Sequence, residues 1–114
     1  MEVIPAINCL DFTTLGKLVK EASKFLPAEG AWIHVDVVNG TFAKNVTWGN
    51  PNELASIKSA YPNINFEIHL MVSDPEEVVE SWFLAGAKRV VVHMEAINNP
   101  EIILDIAGKY EGEV

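Results

Sequence analysis

Short apolar runs alternate along the chain with longer segments in which apolar residues recur every three or four positions. The runs predict four β-strands, at Val3–Asn8, Trp32–Val38, Phe66–Val72 and Arg89–Met94. Between the first two strands, the helical spacing predicts an amphipathic helix that Pro27 and Gly30 end. The apolar face of this helix is formed by Leu15, Leu18, Val19, Ala22, Phe25 and Leu26.

The three later helices are predicted to begin in one way, with a capping side chain followed by proline. These pairs are Asn50-Pro51, Asp74-Pro75 and Asn99-Pro100. An Asn or Asp side chain accepts hydrogen bonds from the first free amides of a helix, and proline at the first helical position loses no needed donor. A glutamate follows in each first turn, where the helix dipole favours it. Gly86 is predicted to end the third helix.

Strand, loop and capped helix repeat four times, which predicts βαβ units around a parallel sheet in one (βα)4 domain over residues 1–114. A complete (β/α)8 TIM barrel takes about 250 residues, so this pattern predicts half a barrel. Half a barrel has two unpaired sheet edges, which are a liability, and a second copy of the chain would cover them. A simple open α/β sandwich is the alternative.

Composition and charge exclude several partners. The chain has 114 residues and a net charge of −8, which argues against nucleic acid because phosphate neutralisation needs clustered Lys and Arg. Its apolar runs are far shorter than the roughly 20 residues of a membrane span. The single cysteine, Cys9, cannot form an internal disulfide, which favours a cytoplasmic location.

Polar residues in buried strands are the candidates for chemistry, because burying them is costly without a purpose or a partner. His34 and Asp36 are two residues apart on one strand and therefore point to the same side. His69 lies on the next strand, and two imidazoles with a carboxylate form a credible shell for zinc, iron, manganese or cobalt. Alternatively, each histidine only donates to a backbone carbonyl or pairs with a nearby acid, as His93 could with Glu95.

Four segments together resemble one family. The stretch H-V-D-V-V-N-G-T-F from His34, continuing through N-V-T-W-G from Asn45, resembles the second-strand signature of the ribulose-phosphate 3-epimerases. The segments E-I-H-L-M-V-S-D-P from Glu67 and V-H-M-E-A from Val92 resemble the third-strand and fourth-strand motifs of that family, and P-A-I at Pro5 stands where it has P-S-I. The resemblance covers nearly the whole chain in order.

The resemblance implies a metal-assisted isomerase that inverts C3 of a ketopentose 5-phosphate. Carried over by position, the metal ligands are His34, Asp36 and His69, and Asp36 is also one of two acid/base carboxylates. Contacts with a small sugar phosphate are expected from His69, Met71 and Asn8. One carboxylate removes the C3 proton and the other returns a proton from the opposite face, while a divalent metal offsets the developing charge.

The chain also departs from the family pattern. The second catalytic aspartate and the glycine-rich phosphate loops belong to later strands, and Ala6, Val38, Asn39 and Lys44 differ from the family's residues. In a homodimer that closes a barrel, Asp36 of the partner subunit would stand near the place of the second aspartate. A non-catalytic self-assembling half-barrel, or a second half supplied by a different polypeptide, are the other hypotheses.

Overall fold

A computed structural model of the chain describes residues 3–40 and 46–114 and has four parallel strands alternating with helices. In chain order the strands and α-helices are β1 (Ala6–Ile7), α1 (Phe12–Ser23), β2 (Ala31–Val38), α2 (Pro51–Ala60), β3 (Ile64–Met71), α3 (Pro75–Leu84), β4 (Arg89–Val92) and α4 (Pro100–Lys109). A short 3₁₀ helix, Met94–Ala96, lies between β4 and α4. The strands stand in the order β1-β2-β3-β4, as in half of a (β/α)8 barrel.

The two faces of the sheet differ in character. Alternate residues of the strands are buried together with helix residues in one apolar core, which includes Ile33, Val35, Val37, Phe66, Ile68, Leu70, Leu15, Val19, Leu54, Val79 and Ile103. The residues between them form what we call the inner face, which would line the interior of a closed barrel: Trp32, His34, Asp36, Glu67, His69, Met71, Arg89 and Val91. These residues are only partly buried, and they include nearly all the polar side chains of the strands.

The predicted strands are confirmed in number and order, but the first and last are shorter than predicted. β1 consists of Ala6 and Ile7 alone, and the carbonyl of Pro5 still accepts a bond from the His34 amide at 2.9 Å. Proline has no N–H to extend the ladder. β4 ends at Val92 because Met94 enters the 3₁₀ turn, where it is 85% exposed.

The predicted caps are mostly confirmed. The Asn50 side chain accepts from the amides of Asn52 and Glu53, and the Asn99 side chain accepts from the Glu101 amide. Asp74 was predicted to cap α3 in the same way, and this was wrong: its backbone dihedrals (φ −132°, ψ 57°) differ from those at Asn50, and its side chain makes no capping bond.

The first helix is shorter than its apolar pattern. α1 ends at Ser23, so Phe25 lies beyond it and is 69% exposed, while Leu15, Val19 and Ala22 form the buried face. In the described parts of the chain, no helix is long and apolar enough to cross a membrane.

Among the residues that the structure describes, both edges of the sheet are open over most of their length. Within residues 3–40 and 46–114, β1 pairs only with β2, and β4 pairs with β3 on one side. On its other side, β4 is met by a parallel bridge between Arg89 and Glu113, with the Val90 amide donating to the Glu113 carbonyl at 3.0 Å. This bridge occupies the position of a fifth strand at the beginning of β4.

Candidate metal centre

Three of the predicted site residues meet on the inner face. Asp36 on β2 is the register partner of His69 on β3, and His34 precedes Asp36 by one side-chain repeat. Asp36 Oδ1 lies 2.8 Å from His34 Nε2 and 3.1 Å from His69 Nδ1. One carboxylate oxygen therefore lies within hydrogen-bond distance of a ring nitrogen of each imidazole.

This arrangement fits a divalent cation. One ligand atom from each of His34, Asp36 and His69 lies within 4.8 Å of the other two, a span that one ion can bridge. Two imidazole nitrogens and a carboxylate oxygen suit zinc, iron, manganese or cobalt. Three protein ligands also leave coordination positions for a substrate, which is how catalytic metal sites differ from structural ones.

The ring nitrogen of His34 that faces away from Asp36 contacts a charged pair, Glu67 and Arg89, which was not predicted from the sequence. His34 Nδ1 donates to Glu67 Oε1 at 2.5 Å, and Glu67 Oε2 accepts from the Arg89 guanidinium at 2.8 Å. Glu67 stands two residues before His69, so strand alternation alone places it on the same face. That spacing was the available signal for Glu67, whereas the role of Arg89 depends on strand register.

The back of His69 is occupied by another histidine. His69 Nε2 and His93 Nε2 are 2.8 Å apart, and the two rings are stacked with centroids 4.9 Å apart. His93 Nδ1 lies 3.3 Å from a carboxylate oxygen of Glu95, so the predicted pairing of these two residues is found. If Nε2–H of His69 donates to His93, the Nδ1 lone pair of His69 is directed at Asp36 and the candidate ion position.

The electrostatics favour a cation between the three residues. Burial opposes charge on His34, but hydrogen bonds to Glu67 and Asp36 outweigh it and raise the pKa of His34. Burial likewise works against ionised Asp36, yet hydrogen bonds from His34 and His69 lower the pKa of that carboxyl. A neutral imidazole has only one N–H, so His34 can serve carboxylates at both nitrogens only by carrying a positive charge or by binding a cation.

The predicted substrate contacts Met71 and Asn8 can be placed relative to the inner face by strand position. Met71 ends β3 on the inner face and is half-buried. Ala6 is the register partner of His34, so Asn8, two residues later and exposed, follows on the same side as the chain leaves β1. The motif residues Thr41, Phe42, Lys44 and Asn45 lie outside the described residues.

The fold and the site together define a class of protein: a parallel βα half-barrel with a candidate metal centre toward the carboxyl ends of its strands. The profile of the Ribulose-phosphate 3 epimerase family matches residues 2–111. The chain belongs to this family.

Individual relatives agree with this assignment. The chain is 37% identical over 108 residues to a ribulose-phosphate 3-epimerase of Chlamydia muridarum, which covers 94% of this chain and 45% of the relative. It is 38% identical over 93 residues to the enzyme of that name from Treponema pallidum (81% and 40%). The corresponding protein of Synechocystis sp. is 36% identical over 100 residues (88% and 41%). The chain thus spans less than half the length of these relatives.

Proposed function

We propose that this chain supplies the metal-binding half of a ribulose-phosphate 3-epimerase site, with His34, Asp36 and His69 as ligands of one divalent ion. The observation that carries the proposal is the convergence of their three ligand atoms within 4.8 Å on the inner face. Family membership supports the same reading, since the relatives bear the name of this epimerase.

Asp36 is the proposed catalytic carboxylate. Its pKa is lowered by hydrogen bonds from His34 and His69 in spite of burial, so it is ionised at neutral pH and able to accept a proton. A bound divalent ion would act as a Lewis acid that stabilises negative charge developing on the substrate oxygens. Asp36 would then take the proton from C3 of a ketopentose 5-phosphate, and a second acid from the other half of the barrel would return one to the opposite face.

His69, Met71 and Asn8 are the proposed substrate contacts. They stand beside the metal centre on the inner face or where the chain leaves it, where parallel βα barrels carry their sites. In a (β/α)8 barrel, phosphate grips are formed by loops after the last strands. We therefore propose that turnover of a sugar phosphate requires the barrel to be completed.

The first test is metal binding by the chain. Titration with Co²⁺, followed by its visible absorption and by calorimetry, is expected to show one site per chain in the wild type. His34→Ala or His69→Ala should each weaken binding by more than the about 10–100-fold that loss of a supporting hydrogen-bond partner costs. Asp105→Asn, which changes an exposed carboxylate of α4, is the matched control and should bind as the wild type does. Unchanged affinity in both histidine variants would contradict the proposal.

A second copy of the chain is the proposed source of the missing half. β1 and β4 are the two edges of the sheet, and two copies related by a twofold axis would place β4 of each beside β1 of the other. Two copies also match most of the length of a relative of which one copy covers 45%. Asp36 of the partner subunit would then face the metal centre. If this dimer forms without binding metal, the chain is a self-assembling module and not an epimerase.

A further inference from the structure

We infer that Glu67, held in place by Arg89, is a positioning residue that fixes His34 in the tautomer whose Nε2 lone pair points at the metal position. This inference rests on the proposed metal centre and extends it to two residues that do not touch the ion. It assigns them a measurable share of the metal affinity.

Strand register places the three side chains in one row. His34 on β2 is the register partner of Glu67 on β3, and Glu67 is the register partner of Arg89 on β4. All three side chains therefore project from the inner face and form a row that runs across the strands. The side chain of Glu67, in the middle of the row, is only 14% exposed, so water competes little for its oxygens.

Arg89 is itself held on three sides. Its guanidinium carbon lies 4.2 Å from the centroid of the Trp32 ring, an arrangement favourable for a cation over an aromatic face. Its Nε and one terminal nitrogen contact Glu113 Oε2 at 2.8 and 2.6 Å. The remaining terminal nitrogen donates to Glu67 Oε2 at 2.8 Å, which leaves Glu67 Oε1 for His34.

The chemistry of the imidazole gives this row a consequence. A neutral histidine carries one N–H and one lone pair, and the partner of one nitrogen decides which nitrogen is available to a metal. An ionised carboxylate only accepts hydrogen bonds, so Glu67 keeps the proton of His34 on Nδ1. The lone pair of Nε2 is then directed at Asp36. Carboxylate partners of this kind orient metal-binding histidines and make them better donors.

Glu67 and Arg89 could instead have a purely structural role on the inner face. The structural role and the positioning role predict different effects of substitution. A purely structural Glu67–Arg89 pair would change the unfolding midpoint without changing metal affinity per folded molecule. A positioning pair changes metal affinity and the tautomer of His34 even where the fold is intact. Metal affinity and tautomer are therefore the readouts to measure.

The experiment compares four chains by Co²⁺ and Zn²⁺ titration: wild type, Glu67→Met, Glu67→Gln and Arg89→Met. Glu67→Met removes the acceptor with little change of volume and should weaken binding about 10–100-fold. Glu67→Gln keeps a carbonyl acceptor and should recover part of that loss. Arg89→Met should cause a smaller loss than Glu67→Met, because His34 still meets the carboxylate. The matched control is Asp105→Asn, which removes an exposed carboxylate of α4 away from the row and should bind as the wild type does.

The tautomer of His34 is the second readout. ¹⁵N NMR of the zinc-loaded wild type is expected to show the proton of His34 on Nδ1, and circular dichroism verifies that each variant is folded. If the wild type binds metal and folded Glu67→Met binds it equally well, the inference on Glu67 is wrong while the metal centre stands. If the wild type binds no metal, or His34→Ala does not weaken binding, the proposed function itself fails.

Discussion

At the residue scale, Gly86 shows how one missing side chain permits a helix to end. Its φ of 113° lies in a region that L-residues with a side chain rarely adopt, and an added Cβ would come 2.8 Å from Cγ of Lys58. Lys58 cannot easily move away, because its ammonium donates to the carbonyls of Pro62 and Ile64 at 2.8 and 2.7 Å. At Gly108, inside α4, a hypothetical Cβ would meet no described atom within 4 Å apart from the neighbouring backbone of its own helix.

Substituting these two glycines by alanine should therefore give opposite results. Gly86→Ala is expected to lower the free energy of unfolding by about 1–3 kcal/mol through backbone strain and the clash with Lys58. Gly108→Ala is expected to raise it by roughly 0.5–1 kcal/mol, since alanine restricts the unfolded chain and favours the helix. Urea denaturation followed by circular dichroism measures both. A stabilised Gly86→Ala chain would contradict the strained geometry described here.

Also at this scale, the sequence predicted which side chains share a site but not their full surroundings. His34 and Asp36 could be placed on one face because strand periodicity is exact, and His69 followed from the repeated βα unit. Arg89 could not be connected to His34 from sequence, since the row depends on the register of three strands. The alternation of buried and exposed residues fixes which face each side chain takes, but a shift of two residues keeps that face, so the alternation alone does not fix which residues of neighbouring strands stand side by side.

At the element scale, α3 and α4 are joined by an acid that caps its neighbour. Glu76, in the first turn of α3, accepts from the backbone amides of Asn98 and Asn99, which immediately precede α4. These hydrogen bonds hold the pKa of Glu76 below its ordinary value, and the bond from the Asn99 amide contributes most. The Asn99 cap on its own helix was predictable from its proline, whereas this capping between helices arises only when the two helices pack.

The lowered pKa of Glu76 gives a pH dependence with a definite sign. Its contribution to stability is fully present above the ordinary glutamate pKa of about 4.3 and is lost as the pH falls through the lower folded-state value. Glu76→Gln should therefore lower the melting temperature at neutral pH by no more than a few degrees. The difference from the wild type should shrink below about pH 4.

The neighbouring acid provides the control for this measurement. Glu77→Gln changes the next residue of the same helical turn, which is exposed, and its melting temperature should stay close to that of the wild type at every pH. Equal melting temperatures for Glu76→Gln and the wild type at neutral pH would show that the bonds to Asn98 and Asn99 contribute nothing.

At the scale of the whole molecule, the described residues form an ordinary apolar core on one side of the sheet only. Helices bury Ile33, Phe66 and Ile68 completely, while the histidines and acids of the inner face are partly buried. The sequence predicted this architecture because four capped βα units require a parallel sheet, and the count of units predicted half a barrel. The patterning of these residues does not specify what packs against the inner face.

Closure by a second copy predicts a mass that doubles with concentration in light scattering. Hydrogen exchange should localise the contact. The amide of Val92 at the outer edge of β4 should exchange more slowly as the concentration rises, because it gains a partner strand. Amides of β2 that face β3 provide the control and should not change; one is that of Val35, since the amide of the preceding His34 faces β1. A mass that stays monomeric at every concentration would exclude the second copy as the source of the missing half.

The partly hydrated inner face has a thermodynamic consequence. Bringing another half-barrel onto it would strip the remaining water from Asp36, and desolvating an anion is costly unless a positive charge compensates. An ion held between His34, Asp36 and His69 would supply that charge, so that, if the proposed metal centre and dimer form, metal uptake and subunit association would be linked equilibria. By reciprocity, the factor by which bound zinc would raise the association constant equals the factor by which association would raise the affinity for zinc. The half-barrel would then bind the cation and the complementary half cooperatively, each binding event strengthening the other.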